Sequence, residues 1–82
     1  MLEVIIMIEL QWQKRRDEHT GSLYHISSYE DFYCKVVRDK RKATAYYNIG
    51  TSPFKKFTRK SVNNCKTDLQ YILNNLYGGI AL

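Results

Sequence analysis

The chain has 82 residues, 44% of them hydrophobic and 26% charged, with a net charge of +5. That length suits one small domain and excludes a Rossmann fold, a barrel or a multi-domain enzyme, while the apolar fraction argues against wholesale disorder. The charge is uneven: Lys35 to Lys66 carries ten basic residues and one acid, net +9, and the remainder carries three basic residues and seven acids, net −4.

The opening run Val4-Ile5-Ile6-Met7-Ile8 is short and bracketed by Glu3 and Glu9. It therefore reads as neither a signal peptide nor a membrane span, and a cytoplasmic protein (in a host cytoplasm if the source is viral) is expected. From Ile6 the pattern alternates, with Ile6, Ile8, Leu10 and Trp12 on one side and Glu9, Gln11 and Gln13 on the other. A period of two predicts a half-buried strand. Lys14 to Ser22 is polar and reads as a loop or a long hairpin connection. Leu23 to Ser27 reads as a short second strand, followed by a turn at Ser28 to Asp31.

Phe32 to Arg38 alternates again, with Phe32, Cys34 and Val36 on one face and Tyr33, Lys35 and Val37 on the other. Asp39 to Lys42 is a polar tetrapeptide where a hairpin turn belongs. Ala43 to Ile49 returns, showing Ala43, Ala45, Tyr47 and Ile49 on one face and Thr44, Tyr46 and Asn48 on the other. Gly50 to Pro53 breaks this strand, and Phe54 to Lys60 fits a strand, a helical turn or a loop equally well. Ser61 is a good N-cap. After it, Val62, Cys65, Leu69, Ile72, Leu73 and Leu76 form one helical stripe, with Gly78 placed to end the helix. The expected fold is α+β in two layers: an antiparallel sheet of three to four strands against one C-terminal helix at about residues 62–77, in a single domain over 1–82. Only one face of such a sheet is covered.

Catalytic signals are weak. Cys34 and Cys65 sit on apolar faces and read as free core thiols, and nothing places a base and an orienting group beside them. Gly78-Gly79 lies after the helix, the wrong end for a phosphate. The two cysteines and two histidines lack zinc spacing, so neither metal nor cofactor is expected. The chain is expected not to be an enzyme.

The basic stretch is the strongest functional signal. Arg38, Lys40, Arg41 and Lys42 cluster at the hairpin tip, and Lys55, Lys56, Arg59 and Lys60 cluster before the helix. Cations neutralise phosphates and aromatic rings stack on bases. These eight are the expected phosphate contacts, forming one continuous positive patch. Tyr33 and Tyr46 are the expected stacking or polar contacts, on a face shared with Lys35, Thr44 and Asn48. The expected partner is nucleic acid or a nucleoprotein, for a protein that is a monomer or a homodimer and has no membrane association. A second reading uses the same features: Tyr and Arg are enriched at protein interfaces, and the cations would then meet an acidic or nucleic-acid-binding protein.

No sequence signature marks a family, but the order of strands followed by a helix, over about residues 6–77, resembles the arm-binding domains of tyrosine integrases, which read a DNA groove with the sheet. It also resembles small phage-encoded inhibitors of host enzymes, including anti-CRISPR proteins. The first resemblance implies DNA contact. The second implies an inhibitor or adaptor of phage or mobile-element type. Folds of this kind host many functions, and neither resemblance assigns a role to any residue here.

Overall fold

The structure, a computed structural model, describes residues 8–77. Five antiparallel strands follow one another in space as they do in sequence: β1 (Gln13–Arg16), β2 (Leu23–Tyr29), β3 (Phe32–Asp39), β4 (Lys42–Ile49) and β5 (Lys55–Arg59). One helix, α1 (Val62–Tyr77), closes the order and lies over β3, β4 and β5. The fold is thus α+β, with a five-stranded sheet where three to four strands are expected from sequence.

The two strands that sequence does not resolve are the edges. Lys14 to Ser22, expected as a loop, contributes most of β1. The ambiguous Phe54 to Lys60 contains β5. Every residue of β1 is exposed, and in β5 only Phe57 is partly covered. Neither strand buries one face, so neither writes an apolar alternation into the sequence. Both are rich in Lys and Arg, a composition that discourages edge-to-edge association.

The strand expected over Ile6 to Gln13 also moves. Ile6 lies outside the described residues, and residues 8–12 run outside the ladder until β1 begins at Gln13. The alternation in this stretch is nonetheless physical. Leu10 is buried and Ile8 and Trp12 pack against the core. The backbone here is satisfied by side chains: Leu10 N–H donates to Gln70 Oε1 at 2.8 Å, and Ser27 Oγ donates to the Gln11 carbonyl at 2.7 Å. An extended segment lying on the helix-side layer shows the same period of two as a paired strand.

The central hairpins follow their sequence pattern. Phe32, Cys34 and Val36 of β3 face Ile49, Tyr47 and Ala45 of β4 in register. Phe32, Cys34, Val36 and Ala45 form the buried centre with Ala43, Cys65, Leu69 and Leu73, and Tyr47 and Ile49 pack against it. Two-residue turns join β2 to β3 and β3 to β4, each placing its first residue, Glu30 or Lys40, at positive φ. Gly50 ends β4 with φ 59°, a conformation that a side chain disfavours, and its N–H donates to the Asp31 carbonyl at 2.8 Å. Ser61 caps the helix: its Oγ accepts the Asn64 N–H at 3.1 Å. The apolar stripe buries Cys65, Leu69 and Leu73, but Leu76 in the last turn is exposed. Gly78 lies outside the described residues.

Candidate functional site

In an antiparallel pair, residues directly opposite each other share a face. The register therefore sorts every strand side chain. On the face away from α1, Gln13, Ile26, Lys35, Tyr46 and Lys56 stand side by side across all five strands. Arg15, Tyr24, Val37, Thr44 and Thr58 form the next row. Ser28, Tyr33 and Asn48 form a third. These rows carry Arg15, Lys35 and Lys56 and contain no Asp or Glu. Carboxylates stand beyond these rows: Asp39, opposite Lys42 at the β3–β4 turn, and Asp17, just past β1, whose pKa is lowered chiefly by the His19 and Thr20 N–H groups and to a smaller extent by the Lys35 charge.

The aromatic groups of this face are held by specific contacts. The Lys35 ammonium lies 4.5 Å from the centre of the Tyr24 ring. That is a diagonal cross-strand pair, which orients both groups. Tyr33 and Phe54 meet edge to face, with ring centres 5.9 Å apart at 86°. Phe54 is 55% exposed and Tyr33 38% exposed. With Lys35, Val37 and Tyr46 these two rings line an open depression of about 380 Å³. Arg15 Nη2 donates to Gln13 Oε1 at 2.6 Å. Among the described residues the only ion pair is Arg59 Nε to Asp68 Oδ2 at 2.5 Å, so Arg15, Lys35 and Lys56 are in direct contact with no carboxylate.

The cations named from sequence do not gather in one patch. Lys42 and Lys56 stand on the open face with Tyr33 and Tyr46. Lys40 and Arg41 form the β3–β4 turn, and Lys60 follows β5 at the same end of the sheet. Arg38, Lys55 and Arg59 face the helix side, in register with Ala43 and Tyr47. Arg59 is further occupied there, with its guanidinium 4.6 Å from the Phe57 ring centre as well as bonded to Asp68. Strand alternation itself divides the clusters, since neighbours such as Lys55 and Lys56 must point to opposite faces.

Sequence reasoning places Lys35 on the open face but leaves out Tyr24 and Arg15 and does not bring Phe54 to it. Lys35 shares it with Tyr33 by simple alternation, and Tyr24 is placed there once β2 is paired. Phe54 precedes the unrecognised β5. Arg15 carries no local signal, because the fully exposed β1 is defined only by its ladder with β2.

The remaining reactive groups are quiet. Cys34 Sγ donates to the Ser27 carbonyl at 3.5 Å, and burial pushes its thiol up to about 12. Cys65 Sγ donates to the Ala43 carbonyl at 3.5 Å, and burial raises its pKa too. Both are free and buried thiols, protonated near neutrality, and thus poor nucleophiles and poor metal ligands. His25 lies on the helix side opposite Lys14, and burial, then Lys66 and Lys14, hold it below its ordinary pKa. Among the described residues no three of His, Cys, Asp and Glu are grouped to hold a metal ion, and no helix is long and apolar enough to cross a membrane.

No protein-family model, curated protein or solved structure matches the chain significantly. The functional reading therefore rests on the site.

Proposed function

We propose that this protein is a small non-enzymatic binding module that contacts nucleic acid, free or in a nucleoprotein, through the uncovered face of its sheet. The observation that supports this most directly is the open face itself. It carries Arg15, Lys35 and Lys56 among Tyr24, Tyr33 and Tyr46, with no acid in the three rows that bear them. Cations at these positions neutralise phosphates and release counterions, and the tyrosines supply stacking surfaces and hydroxyls. Lys40, Arg41, Lys42 and Lys60 extend the positive charge past one end of the sheet and add positioning contacts. Phosphate contacts fix register without reading sequence.

The test is a salt titration of binding to single-stranded and duplex oligonucleotides of mixed sequence, followed by fluorescence anisotropy. Affinity should fall linearly on a double-logarithmic plot, with a slope of about −0.9 per phosphate neutralised on duplex and about −0.7 on a single strand. Absence of binding to any polyanion at low salt would dismiss this reading. The basic face would then be assigned to an acidic protein surface, consistent with an inhibitor or adaptor role.

A further inference from the structure

Resting on the nucleic-acid reading, we infer that the depression between Tyr33, Phe54 and Tyr46 seats an unpaired nucleobase, so that the ligand class is single-stranded rather than duplex nucleic acid. The two exposed rings meet at 86° and form an L-shaped corner. A planar group lying flat on one ring presents its edge to the other. Val37 contributes an apolar side chain to the same depression, and Lys35 contributes a cation. Lys56, opposite Tyr46 on the neighbouring strand, adds a second cation next to it. A flat aromatic group attached to an anionic backbone matches this arrangement of rings flanked by cations.

Paired bases do not match it. In a duplex both faces of each base are covered by its stacked neighbours, and only base edges are offered in the grooves. A single strand offers free base faces, and stacking on aromatic side chains is tolerant of sequence because every base has one. The exposure of Phe54 is explained on the same grounds. A ring 55% exposed just before an edge strand has no role in the core, whereas a base stacked on it removes apolar surface from water.

The experiment compares four probes of about twelve units, long enough to span one sheet-type site. They are oligothymidine, oligouridine, a mixed-sequence DNA duplex, and a deoxyribose-phosphate strand that lacks bases. The full chain should bind oligothymidine and oligouridine more tightly than either the duplex or the baseless strand. Comparing the first two tells DNA from RNA. Tyr33→Leu and Phe54→Leu should each weaken single-strand binding by roughly 5- to 150-fold, the range expected for loss of one stacked base. They should leave the salt slope unchanged, because no charge is removed. Tyr33→Phe, which keeps the ring, should retain near-native affinity. Both positions lie outside the buried core, and an unchanged thermal unfolding curve checks that the variants fold. The inference is overturned if the baseless strand binds as tightly as oligothymidine, if the duplex binds more tightly than the single strands, or if both leucine variants keep native affinity. In those cases salt-dependent binding still supports the broader reading. Failure of all four probes to bind overturns both.

Discussion

Gln70 of α1 holds the backbone of Leu10 across 60 residues of sequence, accepting the Leu10 N–H at 2.8 Å while its own amide donates to the Ile8 carbonyl. One side-chain amide thus completes the hydrogen bonding that a neighbouring strand would otherwise supply. It anchors the segment that brings Leu10 into the core and Trp12 against it.

Replacing Gln70 with Leu leaves a donor and an acceptor unpaired at a partly buried place. The expected cost is about 1–3 kcal/mol. In a domain of this size that lowers Tm by roughly 4–8 °C for each kcal/mol. Calorimetry or thermal circular dichroism measures it; an unchanged Tm would mean that residues 8–10 are not held in this way.

Charge reversal should discriminate between the two faces. Lys35→Glu with Lys56→Glu removes cations from the open face, and the salt slope for single-stranded DNA should shrink by about 0.7 or more for each. Arg38→Glu with Arg59→Glu changes net charge equally but on the helix side, and the slope should stay near native. Loss of the exposed Arg59–Asp68 pair should cost less than about 1 kcal/mol. Equal loss of binding in both double variants would show that total charge, not the face, governs the interaction.

Cys34 and Cys65 should resist alkylation in the native protein at pH 8. Both thiols are buried, and burial holds Cys34 up to about 12. Mass spectrometry after iodoacetamide treatment should find neither modified under native conditions and both modified in denaturant. Rapid native labelling of either would contradict its burial.

Stability should decline at both ends of the pH scale through two identifiable groups. His25 is held below its ordinary value of 6.5 by burial, with Lys66 and Lys14 adding to it. The unfolded chain takes up this proton more readily, so the contribution is complete above 6.5 and is lost as pH falls toward the folded value. Tyr77 donates its hydroxyl to the Asp31 carboxylate and is pushed up from 10.0 to about 12. Here the folded state keeps its proton longer, so stability present below 10.0 is lost as pH rises toward about 12. Urea unfolding across pH should show both branches. His25→Gln should flatten the acidic one and Asp31→Asn the alkaline one.

Lys40 opens the β3–β4 turn at φ 41°, where a side chain is strained. Lys40→Gly should stabilise the domain by up to about 1 kcal/mol, read as a higher urea midpoint with an unchanged slope. Lower stability would mean that the gain in chain entropy on unfolding outweighs the strain.

Much of this molecule is determined locally. The period-two pattern of Phe32–Arg38 and Ala43–Ile49 sets two central strands and their buried faces, because a residue on a pleated strand has only two sides to choose from. The spacing of Cys65, Leu69 and Leu73 behind Ser61 sets the helix and the side it buries. These are the elements whose burial contrast is strong. Tertiary structure decided the rest. The strands β1 and β5 exist because a neighbour's free backbone groups pair with them, a requirement that leaves no mark in their own side chains. Residues 8–12 alternate like a strand yet lie outside the ladder, because Gln70 and Ser27 satisfy much of their backbone. Alternation divides the basic stretch once β5 is known to be a strand, and the register fixes the sides, sending Lys56 and Lys42 to the open face and Arg38, Lys55 and Arg59 behind it. The same register assembles Arg15, Tyr24, Lys35 and Tyr46 from four strands into one surface. Local chemistry could count those charges, but the cross-strand pairing alone fixes which of them a single ligand meets.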